Sequence, residues 1–179
     1  MNLPNSLTVA RLIMIPLFLV VASMKGLYAD YIAAGIFVIA AITDGLDGYL
    51  ARKKNQITQL GQFLDPVADK ILVTAALIIL VEMGRLPGWL AIIIVSREIA
   101  VTGLRAIAVA QGMVIVPSRL GKIKTVAQIV AIVALLLDNF PFSLINFPFT
   151  PIALTFAIVL TVWSGLDYFL AFRFSSKAR

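Results

Sequence analysis

The sequence contains no cysteine and no histidine. Disulfides, thiolate chemistry, the usual zinc sites and the commonest general base are therefore excluded. Charged residues are also scarce, at 13% of the 179 residues, whereas soluble domains carry about 25%. Any acid-base chemistry must use carboxylates, lysines or tyrosines.

Apolar residues dominate instead, at 61% of the total with a mean hydropathy of +1.01. A transmembrane helix needs about 20 mostly apolar residues, so we expect an all-α integral membrane protein with six transmembrane helices in a single membrane-embedded domain, 1–179. The net charge of +6 is typical of loops that meet anionic membrane lipids, and we expect no nucleic acid as a partner. The predicted spans are 7–24, 31–50, 66–83, 87–109, 123–138 and 149–171.

The basic residues predict an orientation for these spans. All 15 lysines and arginines except Lys25 and Arg85 fall on the side of the N-terminus when six spans are assigned in order. By the positive-inside rule, this side and both termini are expected to be cytoplasmic. A cleaved secretory signal after Arg11 is an alternative, but its removal would spoil the asymmetry.

Four of the nine acidic residues lie close together, where the second span ends and the third begins. Asp44 and Asp47 are three residues apart and Asp65 and Asp69 are four apart, so each pair shares a helix face. If the two faces meet, the four carboxylates repel one another unless cations compensate. A set of oxygen ligands without histidine or cysteine suits hard ions, with Mg²⁺ or Mn²⁺ first.

Simpler roles are open for three of these aspartates. Asp65 precedes Pro66, which is typical of a helix N-cap. Asp44 or Asp47 alone could be a solvated residue at a helix end. Asp69 has no such alternative, because it lies in the first full turn of an apolar helix.

Residues 44–69 resemble the full signature of the CDP-alcohol phosphotransferase family. The chain also resembles the bacterial phosphatidylglycerophosphate synthase branch of that family, over residues 2–11, 63–70, 96–105 and 121–125. The fixed positions of the signature are all present, namely Asp44, Asp47, Gly48, Ala51, Arg52, Gly61, Asp65 and Asp69.

The resemblance implies displacement at the β-phosphorus of CDP-diacylglycerol by the primary hydroxyl of sn-glycerol 3-phosphate, which releases CMP. It implies a multi-pass protein of the bacterial cell membrane, with its active site at the cytoplasmic face. The four aspartates would hold two metal ions, and Asp69 would bind metal or act as the general base. The nucleotide site would be lined by Gly48, Ala51, Arg52 and Gly61. Small residues also suit helix packing, and Arg52 could anchor its helix at the membrane surface.

A glycerol phosphate acceptor is a dianion and needs cations of its own. Arg97 and Arg105 are about two helical turns apart on the fourth span, and arginine inside an apolar helix is costly without a function. Lys122 and Lys124 begin the fifth span, and we predict that all four bind the acceptor phosphate. Alternatively, Arg97 pairs with Glu98 and the lysines set topology.

Other functions stay open at this stage. The same donor could react with inositol phosphate, or with phosphatidylglycerol to form cardiolipin, whereas a cationic pocket argues against serine. A cation transporter is an alternative of another class, but its carboxylates usually lie near the bilayer midplane between inverted repeats, and no repeat is seen. A homodimer through a face rich in small residues is one option for the oligomeric state.

Overall fold

A computed structural model describes residues 3–24, 26–54, 59–112 and 119–177, with side chains over 8–24, 26, 28–43, 67–112 and 120–173. Within these ranges the chain is helical and contains no strand, so the expectation of an all-α protein is confirmed. A short 3₁₀ helix, Phe142–Ile145, precedes the last α-helix. The α-helices are α1 (Leu3–Ser23), α2 (Leu27–Lys54), α3 (Gln59–Glu82), α4 (Gly88–Ala110), α5 (Arg119–Leu136) and α6 (Phe149–Lys177).

Each predicted span coincides with one helix, but several helices continue beyond the apolar run that predicted them. α2 continues to Lys54, and α3 already begins at Gln59. Backbone hydrogen bonds propagate a helix through polar residues as readily as through apolar ones. The N-cap interpretation of Asp65 is therefore wrong, because Asp65 lies well inside α3.

The helices pack around a core between α1, α2, α3, α4 and α5. α1 contacts α2 and α3, α5 lies along α6, and α6 also contacts α4. The rings of Phe18 and Phe37 lie 5.9 Å apart between their centroids, and both side chains are fully buried. Leu72, Leu77 and Leu136 complete this core. The pairing of α6 with both α4 and α5 leaves a polar cleft at one end of the bundle.

The outward surfaces of the helices are strongly apolar. Ile13, Ile39, Ile92, Ile107 and Trp163 are all exposed, on four different helices. Exposed apolar surface of this extent is unusual for soluble monomers and marks surfaces that contact membranes or partners. Considering only the described residues, one helix, Phe149–Arg173, is long and apolar enough to cross a membrane, while the apolar stretches Thr8–Ser23 and Tyr28–Thr43 are shorter.

The other end of the bundle is held together by Arg85, in the turn between α3 and α4. Its Nη2 donates to Asp30 Oδ2 over 2.6 Å, and its Nη1 donates to the carbonyl oxygen of Leu136 over 2.8 Å. One side chain thus links the start of α2, the α3–α4 turn and the last turn of α5, whose carbonyl groups lack partners within the helix. We call these three residues the Arg85 cluster.

Candidate active site

A cavity of about 210 Å³ opens between α3, α4, α5 and α6, at the end of the bundle opposite the Arg85 cluster. Asp69 and the four predicted phosphate ligands, Arg97, Arg105, Lys122 and Lys124, all line it. The structure therefore brings these five residues together, as the sequence predicted. The other polar and charged residues of the lining are Lys70, Glu98, Thr102, Thr125, Ser164 and Tyr168.

The remaining predicted site residues belong to the α2–α3 region. The helical backbone carries them up to the end of α2 at Lys54 and again from the start of α3 at Gln59. Their side chains lie outside the described residues, and the four-carboxylate cluster stays a prediction. Among the side chains that are described, no group of three or more potential metal ligands occurs. The residues concerned are Asp44, Asp47, Gly48, Ala51, Arg52, Gly61 and Asp65.

Glu98 joins two of the cations in the cavity. Its Oε1 accepts a hydrogen bond from Arg97 Nη1 over 2.8 Å and another from Lys124 Nζ over 2.5 Å. The alternative that Arg97 pairs with its neighbour Glu98 is thus confirmed as a contact. One carboxylate cannot neutralise two cations, however, so this contact leaves a positive charge for a ligand.

Arg97 has a second partner on α6. Its Nη2 donates to Ser164 Oγ over 2.8 Å, and Ser164 Oγ donates in turn to the carbonyl oxygen of Thr161 over 3.2 Å. Ser164 and Thr161 are both buried. The Arg97 guanidinium is consequently fixed from two sides, by a carboxylate on its own helix and by a hydroxyl on α6.

Arg105 is held against an aromatic ring. Its Nε donates to the Tyr168 hydroxyl oxygen over 3.3 Å, and its Cζ lies 5.6 Å from the ring centroid, within the range of a cation–π contact. Within the described part of the chain, neither Arg105 nor the exposed Lys122 forms an ion pair with a carboxylate. Both are therefore cations whose charge is available to an anion.

The cavity as a whole carries more positive than negative groups. Its described lining has two carboxylates, Asp69 and Glu98, and the cations Lys70, Arg97, Arg105, Lys122 and Lys124. Guanidinium and ammonium groups that converge in this way recognise phosphate through charge-assisted hydrogen bonds. The cavity is suited to a small phosphorylated ligand.

Asp69 contributes a carboxylate that faces this cavity. Its side chain is 36% exposed, and its one ion pair among the described residues is with Lys70 Nζ, 4.0 Å from Oδ2. A pair of this length and exposure contributes little. The oxygens of Asp69 thus remain accessible to a cation or to a substrate hydroxyl.

Several residues of the cavity were not predicted from the sequence. Glu98 was considered only as a partner for Arg97, and Thr102 and Ser164 were not considered. Tyr168, which was not predicted as a site residue, also lines the cavity, whereas its neighbour Asp167 lies on the outer face of α6. A usable signal was present, because buried small and polar residues recur at helical spacing on the otherwise apolar α6.

Known proteins resemble this chain over most of its length. The family model for CDP-alcohol phosphatidyltransferase matches residues 1–163. A Bacillus subtilis protein named CDP-diacylglycerol–glycerol-3-phosphate 3-phosphatidyltransferase is 48% identical, over 94% of this chain and 93% of its own. An Escherichia coli protein of that name is 41% identical over 96% of this chain and 95% of its own.

A third relative, from Mycobacterium tuberculosis, is named a probable phosphatidylglycerophosphate synthase. It is 42% identical, over 93% of this chain and 79% of its own length. Both the match to the family model and the identities to these relatives extend over most of the chain. The chain belongs to the CDP-alcohol phosphatidyltransferase family.

Proposed function

We propose that the protein transfers the phosphatidyl group of CDP-diacylglycerol to sn-glycerol 3-phosphate, giving phosphatidylglycerophosphate and CMP. The observation that carries this proposal is the cavity in which Asp69 lies beside a surplus of cations. The relatives named for the same reaction support the choice of donor and acceptor.

The cations would bind the phosphate of the acceptor. Arg97 and Arg105 present guanidinium groups from one helix, and Lys124 lies beside Arg97 through their shared contact with Glu98. Planar guanidinium groups bind phosphate oxygens in pairs, and lysine adds a point charge. Lys122, which is exposed, would add attraction at the rim of the cavity.

The donor set suits hard divalent cations. The Asp69 carboxylate faces the cavity without a short ion pair, and carboxylate oxygen is what Mg²⁺ and Mn²⁺ prefer. Two ions would be held by Asp44, Asp47, Asp65 and Asp69. When bound, they would neutralise the pyrophosphate of the donor and stabilise the departing CMP. The cytidine diphosphate would lie against Gly48, Ala51, Arg52 and Gly61.

Asp69 would act as the general base. It would take the proton from the primary hydroxyl of glycerol 3-phosphate while that oxygen forms a bond to the β-phosphorus of the donor. The bond from this phosphorus to the bridging oxygen breaks, and CMP leaves with the electron pair. The phosphate clamp, which consists of Arg97, Arg105, Lys122 and Lys124, holds the acceptor so that its hydroxyl points towards Asp69.

The membrane arrangement follows from the apolar surfaces. Exposed isoleucine, leucine and valine side chains on the outer faces of the helices support six spans in a bacterial cell membrane. The charge distribution supports cytoplasmic termini, with the cavity at the cytoplasmic face. The whole chain would then form one membrane-embedded domain. A homodimer would consist of two such domains in the membrane.

The reaction can be tested with purified protein in detergent micelles. CDP-diacylglycerol and Mg²⁺ would be supplied with sn-glycerol 3-phosphate, inositol phosphate, phosphatidylglycerol or serine in turn, and CMP release measured. We expect turnover with glycerol 3-phosphate and its loss when the metal is chelated. CMP release with one of the other acceptors but not with glycerol 3-phosphate would overturn the choice of acceptor. Metal flux into liposomes without CMP release would indicate a transporter.

The role of Asp69 can be tested with Asp69→Asn, which keeps the size of the side chain but removes the base. We expect turnover to fall by roughly 10²- to 10⁴-fold, the range typical of general base catalysis. Asp167→Asn, on the outer face of α6, is the matched control and should retain activity. Wild-type turnover in Asp69→Asn would exclude Asp69 from catalysis.

A further inference from the structure

One face of α6 is built differently from the rest of that helix. Its neighbours on the outer side are large, apolar and exposed, including Val162, Trp163 and Leu166. The inner face repeats at the spacing i, i+3, i+4 and i+7, which places its members in one row. This row, which we call the α6 stripe, consists of the buried residues Thr161, Ser164, Gly165 and Tyr168.

Gly165 lies directly against Arg97. A Cβ atom added at this glycine would lie 3.1 Å from Arg97 Cγ and 3.5 Å from its Nε. The distance to Nε is an ordinary contact, but the distance to Cγ is tighter than most Cβ contacts, so the Arg97 side chain would have to shift by a few tenths of an ångström. The Nε is buried and has no hydrogen-bond partner among the described residues. The absence of a side chain at position 165 therefore determines how near to α6 the guanidinium of Arg97 can lie.

Ser164 and Tyr168 complete the contacts between α6 and the two arginines. The Ser164 hydroxyl accepts from Arg97 Nη2, and the Tyr168 hydroxyl accepts from Arg105 Nε. The Tyr168 side chain is 5% exposed, so its ring forms a rigid wall. Each arginine of α4 thus has its own hydrogen-bond partner on α6, 67 positions along the chain for Arg97 and 63 for Arg105.

We propose that the α6 stripe positions Arg97 and Arg105 for the acceptor phosphate and so sets the affinity for the acceptor rather than for the donor. This inference rests on the proposed function of the two arginines. Holding long side chains in their bound conformation lowers the entropy lost when a ligand binds. Ser164, Gly165 and Tyr168 follow the residues matched by the family model, 1–163, and their role is inferred from contacts in this chain.

Gly165→Ala compared with Gly103→Ala provides the test. Both changes replace a helical glycine by alanine and have the same effect on helix propensity, but a Cβ at Gly103 would have no described atom within 4 Å. We expect Gly165→Ala to raise the KM for glycerol 3-phosphate roughly tenfold, with kcat and the KM for CDP-diacylglycerol changed less than about twofold. Gly103→Ala should leave all three values unchanged.

Ser164→Ala adds no bulk and carries the test if Gly165→Ala does not fold. It removes a hydrogen bond to a charged group and should raise the KM for glycerol 3-phosphate roughly tenfold. Tyr168→Phe keeps the ring and removes the hydroxyl, so we expect a smaller rise in the same constant. An equal rise in the KM for CDP-diacylglycerol would show general damage to the site and overturn the proposal.

Arg97→Ala separates this proposal from the proposed function. If Arg97→Ala leaves the KM for glycerol 3-phosphate unchanged, the phosphate clamp itself is wrong. If it raises that KM while Gly165→Ala and Ser164→Ala do not, the clamp stands and the positioning role of α6 is overturned. In an Arg97→Ala background, Gly165→Ala should have no further effect, because the atoms that the added methyl would meet are gone.

Discussion

The two ends of the helix bundle use arginine in opposite ways. In the Arg85 cluster, one arginine meets one carboxylate, Asp30, and one helix-terminal carbonyl group, so its charge is matched. In the cavity, Glu98 is shared by Arg97 and Lys124, and the one partner of Arg105 among the described residues is a tyrosine. Arg85, whose charge is matched, links the helices, whereas the surplus of cations in the cavity can bind an anion.

Of the substitutions that test this comparison, Glu98→Gln should have the largest effect. It leaves Arg97 and Lys124 side by side without their carboxylate, in a site where Glu98 is 17% and Lys124 5% exposed. Removing one partner of a buried ion pair costs about 3–5 kcal/mol. We therefore expect a loss of about 3 kcal/mol in the free energy of unfolding, measured by denaturation in detergent.

An anion should restore part of the stability lost in Glu98→Gln. Adding glycerol 3-phosphate or inorganic phosphate should raise the unfolding midpoint of the variant more than that of the wild type, since bound ligand stabilises the folded state. Glycerol is the uncharged control, and Glu82→Gln, at the exposed end of α3, is the control variant. If phosphate raises neither midpoint, these cations do not bind it; if it raises both midpoints equally, the charge of Glu98 does not limit the binding of an anion.

Asp30→Asn tests the Arg85 cluster, at the other end of the bundle. It weakens a 2.6 Å ion pair to Arg85 but leaves the hydrogen bond from Arg85 to Leu136 in place. Only one cation loses its partner, and both side chains are partly exposed, so we expect a loss of about 1–3 kcal/mol. The KM for either substrate should not change, and phosphate should not rescue the variant. A rise in the KM for glycerol 3-phosphate would show that the two ends are coupled.

The sequence predicted the helices and the composition of the cavity better than its internal contacts. Apolar runs located all six helices, because length and hydropathy are local properties. The spacing of Arg97 and Arg105 placed both on one face of α4 for the same reason. The contact of Arg97 with Ser164 joins positions 67 residues apart, and no local pattern indicates which helix packs against α4.

Helix ends and shared partners were also beyond local patterns. The Asp65-Pro66 pair favoured a helix start, but α3 already begins six residues earlier, at Gln59. Glu98 could be paired with Arg97 from the sequence, because they are neighbours. Its second partner, Lys124, comes from α5, and only the packing of the helices reveals that one carboxylate serves two cations.

Lys122→Ala should have the smallest effect, because Lys122 lies at the exposed rim of the cavity and not at its buried floor, where Lys124 lies. Lys122 is exposed, whereas Lys124, two residues along α5, is buried. An exposed charge attracts the acceptor through solvent and is screened by salt, with a Debye length of about 10 Å at 0.1 M. We expect the KM for glycerol 3-phosphate to rise roughly two- to fivefold at low salt and to approach the wild-type value at high salt. Lys124→Ala should instead raise the same KM at every salt concentration, because a buried charge is screened much less. If the effects of the two lysines respond equally to salt, the distinction between rim and floor is wrong and the cavity acts as one solvated patch of charge.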